Sequence, residues 1–102
     1  MLNDNNADGR DVSWIWDVNF EKLSSLPIQD VFISGIRLYD MAVRLKTAGL
    51  NEESFIIERD YEKLTEKLKT SKSNNIYILA TYTAMINYRK FLYSKGYIKK
   101  LW

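Results

Sequence analysis

The sequence predicts an α/β fold, a mainly parallel sheet with helices on both faces, and three observations carry that expectation. Short apolar runs rich in β-branched residues occur at Asp30-Val31-Phe32-Ile33-Ser34, Ser54-Phe55-Ile56-Ile57 and Ile76-Tyr77-Ile78-Leu79-Ala80. Each is followed by a stretch with helical apolar spacing, and glycines stand where two of those helices should end. Strands alternating with helices imply parallel pairing, because the crossover returns the chain to the same end of the sheet.

Taken in order, residues 1–11 read as a loop. Asn3, Asp4, Asn5, Asn6, Asp8 and Gly9 are turn formers, and only Leu2 offers a core anchor. Such an opening is either a flexible tail or the residue just after a strand. Trp14 and Trp16 then share one face of an extended segment, and Asp17 is placed to cap a short helix at Phe20-Glu21-Lys22-Leu23 that Leu26-Pro27 ends. The first strand run suits burial on both faces. Ser34-Gly35 opens a helix through Leu38, Met41, Ala42, Leu45 and Ala48, with Ser34 as its cap and Gly49 as its αL stop. Asp60 caps a second helix with the stripe Tyr61, Leu64 and Leu68, and Thr81-Tyr82-Thr83 forms a capping turn before a helix through Ala84, Met85, Tyr88 and Leu92 that Gly96 closes. Leu101 and Trp102 are a tail or a docking contact.

Composition narrows the chemistry. A chain of 102 residues is a single domain, 1–102, and 46% hydrophobic with 27% charged residues is an ordinary soluble balance. A net charge of +2 with acids and bases interleaved gives no reason to expect nucleic acid. With no cysteine and no histidine, the chain cannot build a Cys-His or Ser-His pair or an imidazole–metal centre alone. No apolar run approaches the roughly 20 residues of a membrane span, so a cytoplasmic chain is expected.

The densest set of specific side chains is Asp8-Gly9-Arg10-Asp11-Val12-Ser13-Trp14-Ile15-Trp16-Asp17. It reads either as turn structure or as a loop that holds Asp11 beside Arg10 as an acceptor for a donor from elsewhere. In a parallel sheet, ligands and partners meet the loops at the carboxyl ends of strands, which would gather Asp11, Arg37, Thr81 and Thr83 on one rim. Arg37 and Arg44, seven apart on one helix, read as a solvated face. Ser34-Gly35 is too little for a phosphate site, and Glu52, Glu53 and Glu58 to Asp60 read as solvated loop ends and a cap, not as paired catalytic acids.

Leu2-Asn3-Asp4-Asn5, Ala7-Asp8-Gly9-Arg10-Asp11 and Ser13-Trp14-Ile15-Trp16-Asp17, followed by Ser34-Gly35-Ile36-Arg37, Arg44-Leu45-Lys46-Thr47-Ala48-Gly49 and Thr81-Tyr82-Thr83-Ala84-Met85, resemble the carboxy-terminal domain of the MurT family. The resemblance runs over essentially the whole chain. It implies the three-layer, Rossmann-like arrangement of Mur ligase carboxy-terminal domains, with the first strand and the ATP-binding central domain absent from this sequence.

In that family the domain belongs to the Mur ligase-like subunit of lipid II isoglutaminyl synthase, an ATP-dependent amidotransferase of peptidoglycan synthesis that amidates the D-glutamate of lipid II. The resemblance implies docking to a GatD-type glutaminase subunit, with Arg10, Trp14 and Trp16 at the contact. It also implies that Asp11 completes the partner's Cys-His site in trans, Asp17 being the rival acid. No cofactor is expected in this chain, ATP and Mg belonging to the central domain, and no activity is expected of it alone. The alternative is a non-catalytic interaction module in which Trp14 to Asp17 is the docking surface; an independent small enzyme is a distant third.

Overall fold

The computed structural model describes residues 1–100, so the expectation for Leu101 and Trp102 lies outside the described residues. Among them, two strands form a parallel pair: β1, Val31–Ile33, and β2, Phe55–Ile57, in the register Val31 to Phe55, Phe32 to Ile56 and Ile33 to Ile57. Three helices follow the expected positions: α1, Leu38–Thr47; α2, Tyr61–Lys69; and α3, Tyr82–Ser94. Short 3-10 turns occupy Asn6–Asp8, Ser13–Trp16, Phe20–Ser25 and Glu52–Ser54. The mixed helix and strand content with a parallel pair agrees with an α/β fold.

The local reasons are mostly those in the sequence. Asp60 Oδ1 accepts from the Lys63 N–H at 2.9 Å, capping α2 as expected, and Gly49 and Gly96 follow α1 and α3 with φ of 99° and 78°. Phe20–Ser25 is a 3-10 turn ending before Leu26.

Four expectations need correction. Residues 76–80 form no strand: among the described residues their backbone is bonded only at Leu79, whose carbonyl accepts from the Met1 amine, too little to make a ladder. In the first strand only Ile33 is fully buried; Val31 and Phe32 are partly exposed. Helix α1 begins at Leu38 after an Arg37 cap position, so Ser34 does not cap it, and the Ser34 hydroxyl is buried with no hydrogen-bond partner among the described residues. Arg44 is not on a solvated face: it is 3% exposed.

One core cluster joins Ile33 of β1 to Leu38, Leu45, Ala48 and Leu50 around α1. A second holds Leu2, Val12 and Ile15, and Phe20 and Met41 pack against both. The amino-terminal loop is therefore seated on α1 by apolar burial, and Leu2, at 1% exposure, is no tail residue. Between α2 and α3, the Tyr61, Tyr88 and Phe91 rings cluster with centroids 5.2–6.0 Å apart.

Candidate functional site

The rim predicted at the carboxyl end of β1 exists, and Asn3 is its hub. The Asn3 N–H donates to Thr81 Oγ1 at 3.0 Å, its Nδ2 donates to Thr83 Oγ1 at 3.1 Å, and its Oδ1 accepts from the Ile36 N–H at 2.9 Å. That one buried side chain links the segment after β1 to the start of α3. Nothing in the sequence distinguished Asn3 from its turn-forming neighbours, so its role was not legible there.

Asp8 supplies the cap that Thr81 does not. Its Oδ1 accepts from the Thr83 N–H at 2.7 Å, and Oδ2 accepts from the Thr83 hydroxyl and from the Asn5 N–H at 3.1 Å. Thr83 Oγ1 also accepts from Asn3 and Asn5, which saturates the hydroxyl. Partial burial opposes ionisation of Asp8, but the Thr83 hydroxyl and N–H and the Asn5 N–H outweigh it and hold the carboxyl below its ordinary range. The loop is thus pinned to the N-terminus of α3, where negative charge is favoured.

Arg37 stands beside this network. It donates from Nε to Asp40 at 2.7 Å and from Nη1 to Asp4 at 3.2 Å. Asp11 lies on the solvent side of the same loop, exposed, with Oδ1 accepting from the Ser13 N–H at 2.8 Å. The Ser13 backbone bond, the Ser13 hydroxyl and the positive field of Arg37 lower its pKa, so Asp11 is a fixed, ionised and accessible carboxylate. Arg10 does not face it as a partner; its Nη1 donates to Asn6 Oδ1 at 3.3 Å.

The tryptophans are placed by a different device from the one expected. Ser13–Trp16 is a 3-10 turn, not an extended segment, with Ile15 buried and Trp14 and Trp16 39% and 51% exposed on either side of it. The Arg44 guanidinium lies 5.1 Å from the Trp16 ring centroid and fixes that turn from below. Trp16 also lines a shallow depression with Tyr39, Asp40 and Val43. Asp17 is exposed, and Asn19, not Asp17, holds the cap position of Phe20–Ser25.

The sequence model of the MurT ligase C-terminal family matches residues 1–85. The chain belongs to that family. Over 98% of its length it is 36% identical to the MurT subunit of the glutamine-hydrolysing lipid II isoglutaminyl synthase of Streptococcus pneumoniae. It is 44% identical over 82% of its length to the subunits of the same name from two Staphylococcus aureus strains, COL and N315. The match covers 22% and 19% of those relatives, so this chain spans about a fifth of their length.

Every stretch quoted above for the MurT resemblance lies within the matched residues 1–85. Among the described residues, no group of three His, Cys, Asp or Glu lies placed to hold a metal ion. The sequence has no glycine-rich phosphate loop. Among the described residues, no helix is long and apolar enough to cross a membrane.

Proposed function

We propose that this chain serves as the carboxy-terminal domain of a MurT-type subunit of lipid II isoglutaminyl synthase, and that it docks a GatD-type glutaminase and lends Asp11 to the partner's Cys-His site. The family membership supports the assembly. The observation that carries the chemical role is Asp11 itself: an ionised, exposed carboxylate held by Ser13 on a loop pinned through Asp8 and Thr83, in a chain without histidine or cysteine.

A carboxylate that accepts from an imidazole N–H fixes the histidine tautomer and stabilises the imidazolium formed when the neighbouring thiol loses its proton. The depressed pKa of Asp11 suits this, because the acid must stay charged throughout. Trp14 and Trp16, flanking the same loop, offer large, stiff apolar surface for the partner. In this reading the domain works in the cytoplasm, in peptidoglycan precursor synthesis, and ATP is used elsewhere in the assembly.

A second reading keeps the docking and removes the chemistry: Trp14 and Trp16 form the contact and Asp11 is a loop residue. Their exposure favours it. The test is Asp11→Asn in the full-length subunit mixed with its glutaminase. Glutamine hydrolysis should fall by about a hundredfold or more with complex formation intact. Unchanged hydrolysis, with assembly sensitive only to Trp14→Ala or Trp16→Ala, establishes the second reading.

A further inference from the structure

Positive charge and exposed aromatic surface gather in one part of this chain. From Lys67 onward the sequence holds eight lysines and arginines and no aspartate or glutamate, whereas residues 1–66 hold seven against all thirteen acids. The interleaving of charges therefore stops at Glu66, and a net charge of +2 conceals an acidic part and a basic one. Five of the seven tyrosines also lie beyond Glu66.

The fold brings these residues to one surface. Tyr82, Met85, Arg89 and Tyr93 recur at three- and four-residue spacing in α3, away from the buried Ala84 and Tyr88, so they share its outer face. Tyr82 and Tyr93 are 56% and 52% exposed, so α3 bares apolar surface on the side opposite to the one it buries, which a helix facing only water does not. Arg89 Nη2 donates to the Lys100 carbonyl at 3.5 Å, laying the segment after Gly96 against α3. Lys69 Nζ lies 4.4 Å from the Tyr97 ring centroid and joins the end of α2 to that segment. Glu62 and Glu66 pair with Lys95 and Lys69 at 3.6 and 3.5 Å. Lys72, Lys90, Lys99 and Lys100 are exposed and have no ion pair among the described residues.

We propose that the carboxyl half of α3 and the segment 97–100 rest on an anionic lipid bilayer, with Lys90, Lys99 and Lys100 against headgroup phosphates and Tyr93 at headgroup depth. Tyrosine, with an apolar ring and a polar tip, suits that layer, and a lysine stem can lie along apolar surface while its ammonium stays among the phosphates. Each cation near such a surface adds about fivefold in affinity. A protein partner presents both signs of charge and is met by acids as well as bases, and a nucleic acid strand is met by a basic groove that tracks its backbone. The acid-free outside of a single helix fits neither as well as it fits a surface that is anionic throughout. The inference rests on the proposed function in that a lipid-linked substrate brings the subunit to a bilayer. Tyr93 stands about 15 Å along α3 from Thr83, so Asp11 stays open to the glutaminase while the basic end meets lipid. Past Met85 this face lies beyond the residues that the family model matches, so the match does not account for it.

The test floats the full-length subunit, assembled with its glutaminase, with vesicles of phosphatidylcholine alone or of phosphatidylcholine and phosphatidylglycerol in equal parts. Binding should appear only with the anionic vesicles and weaken as salt is raised. A variant combining Lys90→Gln, Lys99→Gln and Lys100→Gln should lose about a hundredfold in partitioning, and Tyr93→Ser should lose affinity at every salt concentration, both with glutamine hydrolysis unchanged. No binding to the anionic vesicles, equal binding to the neutral ones, or unchanged binding of the triple variant overturns the proposal. So does loss of glutaminase assembly in the triple variant, which makes the partner subunit the occupant, or tighter binding to a DNA duplex than to the anionic vesicles, which makes the face a nucleic-acid site. Asp11→Asn should float as the parent does, so failure at Asp11 and failure of the lipid contact are read separately.

Discussion

Arg44 in α1 donates through Nε to the Ile15 carbonyl at 2.8 Å, and this bond ties the tryptophan turn to the helix beneath it. The same guanidinium donates through Nη2 to the Val18 carbonyl at 2.8 Å and to Glu21 at 2.7 Å, and lies 5.4 Å from the Phe20 ring centroid. Arg44 holds Glu21 ionised below its ordinary range in return. Arg44→Lys keeps the charge but loses the planar fork that reaches three acceptors at once. Its thermal midpoint should fall by roughly 5–10 °C, followed by circular dichroism, with a red shift in tryptophan emission. An unchanged midpoint and emission would show that the turn stands without the fork.

Asp8 should be the source of an acid-sensitive hold on α3. Asp8→Ala removes the acceptor for the Thr83 N–H and costs about 1 kcal/mol in denaturant unfolding. Because the folded pKa of Asp8 lies below its unfolded value, its contribution is complete above the unfolded pKa and is lost as pH falls through the folded one. Stability of the parent should therefore decline from about pH 4 downward, and the decline should be shallower in Asp8→Ala. Parallel slopes in the two proteins would refute the linkage.

The sequence patterns that proved readable were local ones. The Asp60 cap, the glycine stops and the apolar spacing of the three helices depend on residues within a few positions of one another, and the structure places them as expected. Arg44 and Ser34 were misread because their environment comes from distant chain: the acceptors of Arg44 lie 23 to 29 residues away. The same is true of Asn3, whose threonine partners lie 78 and 80 residues on. Residues 76–80 have strand composition, but composition cannot supply the neighbour that makes a strand. Asp11 was legible as a residue type in a crowded motif; its exposure and its Ser13 bond were not.

The buried contact between Thr65 Oγ1 and the Tyr88 hydroxyl, 2.7 Å, links α2 to α3. Thr65 Oγ1 also lies 2.7 Å from the Tyr61 carbonyl and donates to it, so Tyr88 is the donor to Thr65. Tyr88→Phe keeps the aromatic cluster and removes only this bond, which should cost about 1 kcal/mol in chemical denaturation. A loss several times larger would mean that the ring packing with Tyr61 and Phe91 had been disturbed as well.

Gly35 is where the chain permits the amino-terminal loop to close over β1. Its φ is 107°, a region that side chains rarely enter, and a Cβ there would run into the backbone nitrogen and carbonyl of Leu2. That contact is the point at which Leu2 bonds to Ser34 and Arg37, so the collision cannot be relieved by turning a side chain. Gly35→Ala must either force φ negative or push residues 1–3 off the end of β1. The first breaks the Arg37 to Leu2 bond; the second unseats Leu2 from its cluster with Val12 and Ile15 and separates Asn3 from Thr81. Either route costs more than about 1–3 kcal/mol, the strain alone accounting for that much. Thermal unfolding of Gly35→Ala should show that loss, and the Asn3 amide should exchange faster than in the parent, while Gly96→Ala, with open space around its Cβ position, should lose less. Equal losses at the two glycines would assign the effect to φ alone and remove the Leu2 contact as its cause.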